Sequence, residues 1–196
     1  MSDHLSPDPI LHVLAGPNGA GKTTFVEHRL APLTGLPFVN ADVIAATRWP
    51  DRAEAAAHAL DASALAATER ERLLAGRASF ITETVFSHPS KVDLVESATR
   101  LGYRVYLHVI LLPEDAAVAR VQSRLTHGGH LVPEEKIRER WHRLWPLVAD
   151  ARNTAGVTQF YDNSRMESAF RVVATYRRGV ATRAPQWPRW TPTALL

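Results

Sequence analysis

Short runs of consecutive apolar residues alternate along this chain with longer stretches in which apolar positions recur every three or four residues. The compact runs are Ile10–Ala15, Pro37–Asn40, Ser79–Thr82, Tyr103–Leu112 and Val157–Tyr161, and each reads as a buried strand. Between them the helical stretches are Thr24–Leu30, Arg52–Ala75, Pro89–Arg100, a segment opening at Pro113, and Glu134–Asn153. The Ala-rich stretch ends before Gly76 and places Leu60, Leu65, Leu73 and Leu74 on its inner side. In the last helix Trp141, Leu144, Trp145 and Leu147 are the packing positions, and Pro146 is expected to bend it. Phe170–Arg177 and Val180–Arg183 predict a small C-terminal β-hairpin. Strand alternating with helix means βαβ units, so the expected fold class is α/β, a parallel sheet flanked by helices. One domain spans 1–196, with a loose lead-in over 1–9 and an appendage over 165–196.

The first strand runs straight into Gly16-Pro17-Asn18-Gly19-Ala20-Gly21-Lys22-Thr23-Thr24, which fits the GxxxxGK[ST] pattern of a P-loop. The pattern stands where its chemistry needs it, between a strand and a helix. Glycines let backbone N–H groups close in on a polyphosphate. Lys22 is then the candidate for the β- and γ-phosphates, Thr23 the candidate ligand of Mg²⁺, and the helix start adds the positive end of its dipole. The expected cofactors are therefore ATP or GTP with Mg²⁺, and the sheet is of the P-loop NTPase type.

In such a sheet, ligands gather at the carboxyl ends of the strands. Asp42 and Glu83-Thr84 also follow strand ends, so one crevice is expected to hold them with the loop. Asp42 is the candidate base for a substrate hydroxyl, against the plainer reading of a helix cap. Glu83 and Thr84 are candidates for holding the acceptor, Glu83 alternatively for ligating the metal through water. Arg120 and Arg124, four apart on one helix, precede Gly128-Gly129, and Arg138, Arg140 and Arg143 follow it. A glycine-containing segment flanked by guanidiniums predicts a lid over the phosphates. Arg124 and Arg140 are taken as its catalytic arginines and Arg120 as a substrate contact; His130 reads as a loop anchor.

Composition narrows the chemistry. Absence of cysteine removes disulfides, thiolate catalysis and Cys-based zinc sites. The nine histidines show no metal-ligand spacing. No signal peptide or membrane-spanning stretch is visible, so a cytoplasmic location and no membrane partner are expected. Net charge is only +3, but residues 165–196 hold six Arg against the single acid Glu167, which concentrates attraction for anions there.

The motif Gly16–Thr23 also suits a transporter ATPase, but the chain has neither an LSGGQ-like signature nor a strand ending in Asp-Glu. An NKxD-like element of a switch GTPase is missing too. A small kinase needs none of these. Two alternatives stay open: a polynucleotide 5′-hydroxyl kinase or end-processing enzyme, for which the Arg-rich end with Trp187 and Trp190 would supply phosphate contacts and stacking, and a non-catalytic, nucleotide-gated binding protein.

Six motifs in order carry a resemblance: Asn40–Ala45, Phe80–Ser87, Gly102–Val105, Arg120-Val121 with Arg124, Gly128–Pro133, and Asp162-Asn163-Ser164. Together with the loop they resemble the zeta-toxin-like P-loop kinases of the compact bacterial type, from Ile10 to about Val180. The resemblance implies ATP- or GTP-dependent transfer of the γ-phosphate to a hydroxyl, in the family's toxins that of a UDP-activated amino sugar, and an antitoxin protein as possible partner. It matches Lys22 to the phosphate lysine, Asp42 to the base, Glu83 with Thr84 to the acceptor-binding strand end, and two arginines about the glycine segment to the charge clamp.

Overall fold

The computed structural model describes residues 8–125 and 132–196, the side chains of Arg124 and Leu125 excepted. The expected lid residues Gly128, Gly129 and His130 lie outside the described residues, as does the side chain of Arg124.

Seven strands form one sheet in the order β2 (Phe38–Val39), β3 (Phe80–Thr84), β1 (Ile10–Ala15), β4 (Arg104–Leu111), β5 (Val157–Asp162), β6 (Arg171–Arg177) and β7 (Val180–Ala181). The five from β2 to β5 are parallel, and β6 and β7 add an antiparallel edge, the predicted hairpin. Central β1 and β4 are buried on both faces, which is why they read as unbroken apolar runs. One core cluster holds Leu11, Leu107, Phe160 and Trp145; a second, on the other side, holds Leu14, Phe25, Ile110 and Val118.

The helix after the loop begins at Lys22, with Gly21 as its left-handed N-cap. It consists of α1 (Lys22–Phe25), a π-helical turn (Val26–Leu30) and α2 (Ala31–Thr34). Pro32 lies in the first turn of α2; lacking an N–H, it cannot continue the regular α ladder, and the wider turn precedes it. Asp42 belongs to a helix the apolar pattern did not predict, α3 (Ala41–Arg48). The Ala-rich stretch is two helices, α4 (Arg52–Ala57) and α5 (Ala59–Ala75), divided at His58, whose ring stacks on Trp49 with centroids 4.4 Å apart. Its inner face is alanine rather than leucine: Ala62 and Ala66 are buried, whereas Leu60 is 85% and Leu65 37% exposed. Of the four leucines expected inside, Leu73 is buried and Leu74 packs partly against the core. The small Ala45, Ala55 and Ala62 let α3, α4 and α5 approach closely in a satellite cluster, and that register turns Leu60 and Leu65 outward. Helices α6 (Ser90–Arg100), α7 (Glu114–Leu125) and α8 (Glu134–Thr154) complete the layers, with Pro146 inside an unbroken α8.

A polar chain runs through the sheet beneath α1. His12 Nδ1 lies 2.9 Å from His108 Nε2, His108 Nδ1 lies 3.2 Å from the Tyr161 hydroxyl, and that hydroxyl donates to Gln159 Oε1 at 2.8 Å. Since the hydroxyl donates to Gln159, it accepts from His108 Nδ1–H, which leaves Nε2 to accept from His12 Nδ1–H. His108, accepting at Nε2, is therefore neutral. Burial pushes His12 down to about 4, and burial together with the neighbouring His12 pushes His108 down to about 3. Below the ordinary histidine range near 6.5, the unfolded chain takes up protons that the native chain refuses. Stability is thus complete above about pH 7 and falls on acidification towards pH 4, by up to about 1.4 kcal/mol per pH unit for each histidine. Urea unfolding at pH 7.5 and pH 5 is expected to show a lower midpoint at pH 5. Replacing both histidines by glutamine should flatten that dependence, and an unchanged slope would remove the histidines as its cause.

Candidate active site

The loop Gly16–Gly21 leaves β1 at the carboxyl end of the sheet, beside β3 and β4. Two of its glycines are dictated by space. A Cβ on Gly16 would stand 2.6 Å from the carbonyl oxygen of Ile110, and one on Gly21, at φ +88°, would stand 2.9 Å from Asn163 Nδ2. Lys22 is buried, its ammonium donating to Pro17 O at 3.1 Å and lying 3.7 Å from Glu83 Oε1. Thr23 donates its hydroxyl to Glu83 Oε2 at 2.7 Å. Lys22, Thr23 and Glu83 therefore meet at the carboxyl ends of β1 and β3.

Glu83 is the hub of this cluster. Besides Lys22 and Thr23 it accepts from Asn40 Nδ2 at 2.8 Å. The same Asn40 amide caps α3, its Oδ1 receiving Asp42 N–H at 2.7 Å and Val43 N–H at 3.3 Å. Asn40, not Asp42, is thus the cap, so Asp42 is left exposed on the first turn with no side-chain hydrogen bond or ion pair among the described residues. Thr84 accepts Phe86 N–H at 3.1 Å, which supports a turn where Phe86 adopts φ +65°.

On the opposite flank, Asn163 donates to Ala20 O at 2.8 Å, and Arg120 donates to Asn163 O at 2.8 Å and Gly19 O at 3.4 Å. Arg120 therefore braces the loop against the end of β5. The remaining arginines divide clearly. Arg138 bridges Glu134, Asp115 and Glu114 at 2.8 to 3.1 Å, hydrogen bonds that hold its guanidinium above the usual arginine range. Arg143 pairs with Glu139 at 3.2 Å. Arg140 has no partner among the described residues; it precedes Trp141, whose indole donates to Leu112 O just past β4. Asn18 also carries an orphan, since its buried Oδ1 has no hydrogen-bond partner among the described residues.

The residues suit a nucleotide and a hard cation. The glycine positions form a cradle that a Cβ would fill, and a hydroxyl and a carboxylate 2.7 Å apart are oxygen donors of the kind Mg²⁺ takes in company with phosphate and water. Among the described residues no cluster of three or more His, Asp or Glu offers a self-sufficient metal site. No helix among them is long and apolar enough to cross a membrane.

The family model of the AAA domain AAA_33 matches residues 11–147, well over half of the chain. The chain belongs to that family. Solved structures share its fold. A protein from Chloroflexus aurantiacus, described as a putative kinase, superposes with a TM-score of 0.62 at 20% identity, covering 82% of this chain and 91% of that one. The AvrRxo1-ORF1:ORF2 complex with ATP gives 0.60 at 18% identity, covering 89% and 60%. The PezAT toxin-antitoxin system of Streptococcus pneumoniae gives 0.56 at 15% identity, covering 87% and 72%. A search of curated proteins finds no sequence match.

Sequence reasoning did not assign Asn40 and Asn163, which tie the loop to its two neighbours. The signal for Asn40 was an Asn three residues before Val43 at a strand end, a helix-capping pattern. Asn163 stood within the motif Asp162-Asn163-Ser164, but nothing local gave its role, because its partner Ala20 lies 143 residues away.

Proposed function

We propose that this protein is a small P-loop kinase that moves the γ-phosphate of ATP or GTP to a hydroxyl acceptor, with a UDP-activated amino sugar as the first candidate. The observation that carries the reading is the uncommitted carboxylate of Asp42, set two residues from Asn40 and therefore next to the Glu83–Lys22–Thr23 cluster. A nucleotide sensor has no need of a free carboxylate there; a kinase needs one to accept the proton of the attacking hydroxyl.

In this reading Gly16, Pro17, Asn18, Gly19, Ala20, Gly21 and Thr24 with Lys22 and Thr23 receive the nucleotide. Backbone N–H groups of the loop would receive its phosphates, Lys22 would hold the β- and γ-oxygens, and Thr23 would offer its hydroxyl oxygen to Mg²⁺. Mg²⁺, when bound, neutralises charge between the phosphates. Glu83 would serve the metal on the donor side rather than the acceptor, because its contacts run to Lys22, Thr23 and Asn40. Thr84 stands beside it with a hydroxyl hydrogen still to give to the acceptor. Arg120 fixes the loop by its carbonyls, and Arg140, with Arg124, completes the charge on the transferring group.

Glu83→Gln keeps the shape and removes the charge. It is expected to raise the Mg²⁺ concentration needed for half-maximal activity about 10-fold or more, in line with the usual cost of losing an outer-shell metal partner. An unchanged Mg²⁺ requirement with a raised acceptor KM would return Glu83 to acceptor binding. The acceptor itself is identified by supplying γ-labelled ATP or GTP with UDP-amino sugars, nucleosides and 5′-hydroxyl oligonucleotides. Label in the sugar nucleotide supports the first candidate, label in the oligonucleotide assigns a polynucleotide kinase, and nucleotide binding without turnover assigns a gated binding protein. Growth arrest on induction, relieved by Asp42→Asn and by a co-expressed antitoxin, would extend the reading to a toxin.

A further inference from the structure

The basic C-terminal segment begins against the P-loop helix, where Phe170 packs on Phe25 and Ala169 O accepts from Arg29. It forms a cleft of about 540 Å³ of its own, lined by Asp162, Ser164, Arg165, Arg171, Arg189 and Trp190 among others. The wall of the cleft that the tail supplies lies on the sheet face away from the P-loop helix. Tyr161 packs with Phe25 of α1 in the second core cluster, whereas Phe160 packs with Trp187 and Trp190 in the first. Along β5 the side chains alternate, so Asp162 follows Phe160 onto the Trp187 side.

The wall supplied by the tail is firmly held. Gln186 N–H donates to Val173 O at 2.7 Å beside β6, and Trp187 meets Phe160 edge-on at 5.0 Å. Thr191 closes a turn with both its N–H and its hydroxyl on Pro188 O. Arg152 ties Leu195 O at 3.0 Å. Trp187 is thus an anchor of the core, and Trp190 is the indole the cleft presents.

The charges facing this wall are unequal in their commitments. The Asp162 carboxylate accepts Ser164 N–H at 2.9 Å and pairs with Arg171 at 3.3 Å. Arg165 and Arg189 are exposed and have no ion pair or hydrogen bond among the described residues. Two uncommitted guanidiniums, with Ser164 and Ser168 hydroxyls beside them, call for a multiply charged oxyanion, and guanidinium matches phosphate in two-pronged geometry. A partly buried indole at the same cleft adds a platform for a flat ring.

We propose that this cleft binds a nucleotide unit, its phosphate on Arg165 and Arg189 and its base against Trp190, separately from the donor nucleotide at the P-loop. The same chemistry is offered by a free mononucleotide and by a single-stranded nucleic acid, and the two are told apart by the probe.

The test uses full-length Lys22→Ala protein, in which the donor site is disabled, with fluorescence anisotropy of a dye-labelled nucleoside monophosphate and of a dye-labelled short single-stranded DNA. Retained binding of either probe, weakened at least 10-fold by Arg165→Glu with Arg189→Glu, is the expected result. Trp190→Ala should weaken it roughly 5-fold to 100-fold, the range of one lost base–aromatic stack. Trp190→Phe, which keeps a flat ring on the core, should recover most of that loss and so separates stacking from misfolding. Tighter binding of the DNA than of the monophosphate assigns a nucleic-acid strand; the reverse assigns a free nucleotide. The proposal is overturned if neither probe binds the Lys22→Ala protein, if the two arginine replacements leave binding unchanged, or if Trp190→Ala has no effect and inorganic phosphate competes as well as the monophosphate. None of these outcomes depends on the kinase reading.

Discussion

Lys22→Ala is expected to lower kcat/KM for phosphate transfer by about 10² to 10⁴ while the protein stays folded. The lysine is the buried cation of the loop, 3.1 Å from Pro17 O and 3.7 Å from Glu83. Bound to nucleotide it would make two charge-assisted contacts, each contributing about 1.5 to 3 kcal/mol, so their loss amounts to about 3 to 6 kcal/mol of transition-state stabilisation. Removing Lys22 also leaves the Glu83 carboxylate without its cation near the incoming phosphates, which adds repulsion to the lost attraction. Thr23 and Asn40 still satisfy that carboxylate by hydrogen bonds, so the cost falls on binding and turnover rather than on folding. Nucleotide titration followed by calorimetry, with circular dichroism as the folding control, separates the two. A variant that binds nucleotide within 3-fold of the wild type would remove Lys22 from the phosphate site.

Asp42→Asn is the second large effect, and it has a different signature. Asp42 is exposed at the start of α3 and spends its carboxylate on no partner among the described residues, so the substitution disturbs neither the cap formed by Asn40 nor the Glu83 cluster. Donor affinity should stay within a few-fold of the wild type. The transfer rate should fall by about 10² to 10⁴, the usual contribution of a positioned general base. Stopped turnover with intact donor binding is the pattern a proton acceptor produces. A proportional loss of both would make Asp42 a binding group.

Much of this site was legible in the chain because its parts are local. The loop, its lysine and threonine, and the five parallel strands each announce themselves within a dozen residues. Asp42 and Glu83 could be placed together because strand ends in a parallel sheet share one edge. What escaped depended on contacts between distant segments. The Asn163 amide meets Ala20 from 143 residues away along the chain, and the bracing role of Arg120 exists only because β5 ends beside the loop. Leu60 and Leu65 were expected inside because leucine outweighs alanine in any apolar pattern. The helices α3, α4 and α5 pack through alanine, however, and closeness of approach decided the register. The arginines were ambiguous for a similar reason: spacing shows that they share helices, but only the carboxylates of α7 and α8 show that Arg138 is already engaged.

In the proposed reaction the γ-phosphate held over Gly16–Thr23 passes to a hydroxyl whose proton goes to Asp42. Wild-type and Asp42→Asn protein, each with γ-labelled ATP or GTP, Mg²⁺ and a small-molecule extract, test it directly through the chemical form of the label. Label is expected in an organic phosphate ester with the wild type, with a loss of at least about 100-fold with Asp42→Asn. Label released only as inorganic phosphate, at equal rates from both proteins, would contradict it.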